Sequence, residues 1–423
     1  MMNKKADVLV IGAGLSGLMA AAKAVEQGKK VLLVAKGMGA LGLSSGCIDL
    51  WGYDIDQPDQ VCSRPLQEID KLIQVNPHHP YARVRDVLEE SLDFFRKICA
   101  ENGSPYLENE GGNWLLPTAL GTMRPTYLVP ASMAVKSLEE ADKILVVGFK
   151  GLKDFYPDVL VANLQRNAEL KPSCKLEPVL VEVGSEELKP AALAHRLERG
   201  EIIDKIVQQV KPLLSPGAVV LFPPVLGSSG GAGMAGRLAD ELGCPVYEVS
   251  NIPPALPGDR LQKTLLHHLK TRGVEVIIGS TVTTAHLEGN RCVKVTVRCL
   301  SGTMTISARV FVLATGSFLG GGLEADIEGI KESIFNLPVQ IGAEEWSVQE
   351  FLDLKGQPFN KFGIAVNDHL QPVDESGQVL VKNLMVTGAN LAGCNYPIEK
   401  CGNGVALATG YKAGKLVEVV HGE

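Results

Sequence analysis

With 423 residues and 41 basic against 48 acidic side chains, a formal charge of −7, the chain is long enough for two or three domains and too weakly charged for a nucleic-acid footprint. Aromatic residues make up only 5% and do not interleave with basic ones, so nucleic acid is excluded as a partner. No apolar stretch reaches the length of a membrane-spanning helix, and the nine cysteines form no C-x-x-C pair, which predicts reduced thiols in a cytoplasmic protein.

Met1 to Lys5 followed by apolar residues has the outline of a signal peptide, but the residues beyond explain the segment better as a strand. Ala6 to Ile11 is an apolar run interrupted only by Asp7, and Gly12-Ala13-Gly14-Leu15-Ser16-Gly17 follows at once. Leu15, Leu18, Met19, Ala22 and Val25 then recur at helical spacing, ahead of a second strand at Val31 to Val34. This is the first half of a Rossmann unit. Gly12 permits the tight turn, Gly14 lets the backbone approach a pyrophosphate, and Gly17 lets helix and strand pack closely. The first-turn amides, Leu15 and Ser16 among them, face the anion. A carboxylate for an adenosine ribose is expected after the second strand, yet Ala35 and Lys36 stand there. Lys36 can only donate, so it is either a phosphate contact or a solvated strand-end cation.

From about Gln57 to Asn251 the chain has a different character, with helices expected over Val84 to Cys99 and Pro190 to Lys211 and strands over Lys143 to Phe149 and Ala218 to Leu226. Gly227 to Gly233 lacks the Lys-Ser/Thr of a Walker loop and reads as a flexible loop or turn, and Pro253-Pro254 with Pro257-Gly258 marks the return to the first domain. Leu261, Leu265, Leu266 and Leu269 then line a helix ended by Gly273, with His267 and His268 expected at the surface. A strand at Val274 to Ile278 precedes an antiparallel meander over Thr281 to Thr305. Arg309 to Leu313 is a buried strand ending in Ala314-Thr315-Gly316, which looks like the second fingerprint of two-dinucleotide-binding flavoproteins.

Near the end, Leu384 to Val386 is a short strand, Gly388 to Asn395 a glycine-rich loop, and Gly402-Asn403-Gly404 opens a helix through Ala406, Leu407 and Tyr411. The positive end of that helix favours the negative charge of a reduced flavin. Where an acidic ribityl anchor is usual, Ala389 and Asn390 stand, so Asn390 offers a neutral hydrogen bond. Cys394 and Cys401 are grouped, but their spacing matches no common zinc or iron-sulfur pattern, and no metal site is predicted. The expected fold class is α/β: a Rossmann-like flavin-binding domain over 1–56, 252–325 and 379–423, with an inserted α/β cap domain over 57–251 and 326–378.

Several segments resemble the B-subunit family of the anaerobic glycerol-3-phosphate dehydrogenases: the first fingerprint, Leu43 to Leu50, His79-Pro80-Tyr81, Leu120 to Arg124, Val147 to Phe155, Ala314 to Phe318, and Cys401 to Gly404. The resemblance spans nearly the full chain and is most specific at Ser44-Ser45-Gly46 and Gly121-Thr122-Met123-Arg124. It implies oxidation of sn-glycerol 3-phosphate to dihydroxyacetone phosphate. It also implies a larger flavoprotein partner A, and an iron-sulfur partner C that anchors the complex at the inner face of the membrane and passes electrons to quinone. The resemblance implies FMN in this chain; the fingerprint alone implies FAD. Ser44, Ser45 and Gly46 correspond to a small-residue loop along the flavin, or else form a tight turn. Arg124 offers a bidentate fork to a phosphate or braces structure, and His79 acts as base on a substrate hydroxyl or orders its loop. The alternatives are a self-sufficient flavin oxidoreductase of another substrate and a degenerate flavoprotein serving as an assembly scaffold.

Overall fold

The computed structural model describes residues 2–136, 138–167, 169–184, 187–252, 255–342 and 345–422; Pro253-Pro254 lies outside them. The chain divides into two compact units, one of Met1–Leu41, Asp49–Ile98 and Leu265–Glu423 and one of Gly42–Ile48 and Cys99–Thr264. Residues 57–98 and 326–378, expected in the inserted domain, group with the first unit.

In the first unit the apolar runs become a parallel sheet because each is buried on both faces. Strand Met2–Ile11 lies between Val31–Ala35 and Gly302–Leu313, all parallel, and Glu275–Ile278 pairs with Val31–Ala35. Val31–Ala35 is buried at every position. On the edge away from Met2–Ile11, Gly302–Leu313 is long enough to serve two further partners: Gly302 to Ile306 pairs antiparallel with Arg291–Cys299, and Phe311 to Leu313 pairs parallel with Leu384–Val386. With Thr281–Glu288 beyond Arg291–Cys299, this makes a seven-stranded sheet among the described residues.

Helices Leu15–Glu26 and Gly402–Lys415 pack backbone to backbone. A Cβ on Gly410 would lie 2.2 Å from the Ser16 carbonyl oxygen, and one on Gly414 would lie 2.6 Å from that of Ala20. These overlaps involve main chain, so the helices must part to relieve them. Gly410→Ala is therefore expected to cost about 1–3 kcal/mol in chemical denaturation. Gly236→Ala, at an exposed helical position where a Cβ meets nothing within 4 Å, is expected to be neutral or to gain up to about 1 kcal/mol.

The second unit holds a four-stranded parallel sheet in the order Val246–Glu248, Ala218–Phe222, Lys143–Phe149, Lys175–Val181. Helices Pro157–Asn167, Pro190–Glu198, Ile203–Val210 and Gly231–Leu242 connect these strands. The single helix expected over Pro190 to Lys211 is two, broken at Gly200, whose φ of +73 no helix accommodates. The helix expected from Val84 starts at Leu88, after two short turns. His268 is buried rather than exposed, because it lies on the inner face of Leu256–Thr271 beside Leu265 and Leu269. No helix of the described residues is long and apolar enough to cross a membrane.

Candidate functional site

The glycine turn of the first unit is fixed by close contact. Gly12 has φ +120, and a Cβ there would lie 2.1 Å from the Ala314 carbonyl oxygen; a Cβ on Gly17 would lie 2.2 Å from the oxygen of Gly12. Helix Leu15–Glu26, the turn and the end of strand Gly302–Leu313 are thus locked main chain to main chain, as the two fingerprints predict. Gly14 differs. Its backbone is extended, with φ −74, and a Cβ on it meets nothing within 4 Å. Gly14 therefore faces open space at the start of the Leu15 helix, which a side chain would fill.

Asn390 braces the second fingerprint rather than projecting from it. Fully buried, it accepts the Gly316 N–H through Oδ1 at 2.6 Å and donates through Nδ2 to Thr315 Oγ1 at 2.9 Å. Gly388 (φ +68) sits against Ser16, and its N–H is accepted by Thr409 Oγ1 at 2.9 Å. Ser16, Ala314, Thr315, Gly316 and Asn390 are in this way one braced assembly between the two helix starts.

Neither helix start has a side-chain cap or an acidic residue in its first turn: Gly14 precedes Leu15, and Cys401 precedes Gly402-Asn403-Gly404. A positive helix end of this kind suits an anion, a flavin phosphate at one and a reduced flavin ring at the other. Gly404 is pressed against Asp49 and Tyr81; its N–H donates to the Asp49 carbonyl at 2.9 Å, and a Cβ would lie 2.4 Å from the Tyr81 hydroxyl oxygen. Lys36 is exposed at the strand end with no ion pair among the described residues. These residues fit a flavin, and no acid for an adenosine ribose stands at the Lys36 position.

Ser44, Ser45, Gly46 and Arg124 belong to the second unit. Ser44 Oγ accepts the Gly46 N–H at 3.2 Å and Ser45 Oγ accepts the Cys47 N–H at 3.3 Å. Gly46, at φ +77, abuts the Pro257 main chain and its carbonyl accepts the Tyr106 hydroxyl at 2.6 Å, so these residues make a tight turn. Arg124 is half-buried on a hairpin of Trp114–Pro117 with Met123–Thr126. The loop Gly227 to Gly233 is held by hydrogen bonds and runs into a helix. Glu198 accepts the amides of Ser228 at 2.6 Å and Ser229 at 3.2 Å, filling the place a phosphate would take, and helix Gly231–Leu242 starts inside the segment.

His79 lies elsewhere in the first unit, and not as a base reaching for substrate. The ring is fully buried. Its Nδ1 accepts the Tyr81 N–H at 3.2 Å and its Nε2 lies 3.3 Å from Glu399 Oε2, which leaves no ring nitrogen for a substrate hydroxyl. The same carboxylate oxygen accepts the Asn395 N–H at 2.8 Å and faces Cys401 Sγ at 3.3 Å, and Cys394 Sγ lies 3.2 Å from Cys401 Sγ. The Trp51 ring meets the imidazole edge-on at 6.1 Å between centroids. Burial opposes a charge on His79, as does the Tyr81 amide, which needs a bare Nδ1, while hydrogen bonds to Cys394 and Glu399 act in the opposite direction. The hydrogen bond from Cys401, ahead of the opposing effect of burial, holds the Cys394 thiol below the usual range, while burial pushes Cys401 well above it. For Glu399, burial works against the carboxylate, yet the bonds from His79 and Cys401 keep its pKa low. Sequence spacing alone does not reveal this cluster. Cys394 and Cys401 are seven residues apart, but Glu399 and His79 are separated by 320, and only the fold joins them.

A family model described as FAD binding domain matches residues 7–405. The chain is 31% identical over 420 residues to the B subunit of the anaerobic glycerol-3-phosphate dehydrogenase of Vibrio cholerae serotype O1, covering 96% of this chain and 95% of the relative. It is 31% identical over 412 residues to the protein of the same name in Pectobacterium atrosepticum, covering 95% and 96%. Among solved structures, a 3-ketosteroid delta1-dehydrogenase from Sterolibacterium denitrificans aligns at 12% identity and a TM-score of 0.45, over 98% of this chain and 100% of that one.

Proposed function

The chain belongs to the FAD binding domain family and, within it, to the B-subunit family of the anaerobic glycerol-3-phosphate dehydrogenases, and on that premise we propose that it is the flavin-bearing member of a complex that oxidises sn-glycerol 3-phosphate to dihydroxyacetone phosphate. The observation that carries this reading is the pair of helix starts at Leu15 and Gly402, each opening beside glycine and each without a cap or an acid of its own. A flavin held there supplies two-electron oxidation of an alcohol carbon and single-electron delivery onward. Gly14 and the Leu15 helix hold its phosphate, the Gly402 helix favours its reduced form, and Asn390 keeps Thr315 and Gly316 in place. The exposed Lys36 at the end of Val31–Ala35, where a ribose-binding acid would stand, favours FMN over FAD.

Electrons leave through partners in this reading. The described residues hold no membrane-crossing helix, and the sequence has no iron-sulfur cysteine pattern, so a larger flavoprotein partner A and a membrane-anchored iron-sulfur partner C carry them to quinone at the inner face of the membrane. Arg124 is assigned to the substrate phosphate, since its planar fork matches a phosphate as lysine does not. The test is reconstitution. The chain alone is expected to carry flavin yet reduce quinone with glycerol 3-phosphate negligibly, and both partners together are expected to restore turnover. Arg124→Lys in the restored complex is expected to keep flavin and lose roughly 10–100-fold in kcat/KM. An isolated chain that turns over as fast as the complex overturns the partner assignment.

A further inference from the structure

The His79, Cys394, Glu399 and Cys401 cluster is not used by the flavin reading. Its four donor atoms, one nitrogen, one oxygen and two sulfurs, all lie within 4.8 Å of one another. A tetrahedral zinc ion with Zn–S of about 2.3 Å and Zn–N or Zn–O of about 2.0–2.2 Å spaces its ligands roughly 3.3–3.8 Å apart. The separations here are 3.3 Å from Nε2 to Oε2 and 3.3 Å from the Cys401 sulfur to Oε2, two edges of such a tetrahedron to within a few tenths of an ångström, and 3.2 Å between the sulfurs, which must part by about half an ångström to seat the ion. We propose that these four side chains form a closed site for one divalent d-block cation, with zinc the ion its donor set fits.

Three features of the surroundings support this reading. Cys401 and His79 are wholly buried, Cys394 is 8% exposed and the Glu399 side chain 16%, as in a closed structural site rather than an exposed acidic patch. Two thiolates and a carboxylate together are three negative charges in a dry place, which a divalent cation offsets better than hydrogen bonds alone. The orientation of the carboxylate is also already set, since the Asn395 amide holds Glu399 at 2.8 Å. Binding releases the protons held by the Cys394 and Cys401 thiols to solvent and moves the imidazole proton from Nε2 to Nδ1, from which the Tyr81 amide turns away.

The cation would tie the segment at His79 to the Cys394 to Cys401 turn that leads into the Gly402 helix, so it belongs to the architecture of the first unit rather than to the redox step. The experiment is elemental analysis of the full-length chain, purified without a metal-chelating tag from zinc-supplemented cells, followed by cobalt(II) titration of chelator-treated protein. The expected result is about one equivalent of zinc per chain and a thiolate-to-cobalt absorbance that saturates at one equivalent, both falling to about a tenth in Cys394→Ser/Cys401→Ser. Iron in place of zinc at the same stoichiometry supports the site with a different occupant. Where the double variant fails to fold, the cobalt titration of the native chain still decides. Metal below about a tenth of an equivalent with no thiolate-to-cobalt absorbance overturns the proposal, and so does a Cys394–Cys401 disulfide found by mass spectrometry after thiols are blocked during lysis.

Discussion

Gly14→Leu is expected to give a folded protein that has lost its flavin, whereas Gly12→Ala is expected not to fold. The two glycines stand two residues apart in one motif, and their surroundings separate them. At Gly14 the backbone is extended, as any residue adopts, and a Cβ has nothing within 4 Å. A leucine there meets only what that space holds. Flavin retained per chain, read by acid extraction and absorbance, should fall at least about tenfold, while the unfolding free energy of the stripped protein changes by no more than about 1 kcal/mol, a helix N-cap effect. Stripped forms are the ones to compare, because bound flavin itself raises apparent stability by mass action. At Gly12, φ of +120 and an overlap of 2.1 Å with the Ala314 oxygen fall on main chain that cannot move without breaking the strand pairing of Ile11 with Leu313. Strain in that backbone region costs about 1–2 kcal/mol before the overlap is counted. A Gly14→Leu protein that keeps stoichiometric flavin would remove the flavin site from this turn.

What is legible in the sequence follows from how local the signal is. The first strand, glycine turn and helix, the Thr281 to Thr305 meander and the Gly402 helix all carry their periodicity within a dozen or so residues, and each forms where expected. Gly410 and Gly414 carry no such signal, since their need for hydrogen in place of Cβ arises only when the Leu15 helix lies against them. Asn390 is legible as a neutral hydrogen-bonding residue, but its two partners, Thr315 and Gly316, lie some 75 residues earlier, so its role as a brace is a product of the sheet order. The Cys394 to Cys401 spacing matches no metal motif because half of the donor set comes from a carboxylate inside the turn and a histidine 320 residues away. His79 is ambiguous in sequence for a related reason: His-Pro-Tyr announces an ordered turn, and the side chain does cap it at Tyr81, while its other face answers to residues invisible from that segment.

In the second unit the legible feature is the glycine-rich loop, and what decides its nature is a carboxylate that sequence cannot place. Glu248 is fully buried, and its Oε2 accepts from Ser132 Oγ and Arg260 Nη1, each at 2.7 Å, while Oε1 accepts the Leu226 N–H at 2.7 Å and Arg260 Nη2 at 3.0 Å. Arg260 Nε also donates to the Gly227 carbonyl at 2.7 Å, so the pair pins the chain at Leu226 and Gly227, where the loop begins. A buried pair of this kind need not be more stable than apolar replacements, but removing one member leaves an uncompensated charge. Arg260→Ala is accordingly expected to cost about 3–5 kcal/mol, which for a cooperative unit of this size lowers the melting temperature by roughly 6–20 °C. Glu248→Ala/Arg260→Ala is expected to lose less than the sum of its single variants, because deleting the carboxylate removes the stranded charge and leaves the neutral Leu226 N–H, Gly227 carbonyl and Ser132 hydroxyl to find water. Calorimetry on the three variants checks both statements. Were Arg260→Ala to melt within about 2 °C of the parent, the guanidinium would not be what compensates Glu248, and a proton on that carboxylate would have to take its place.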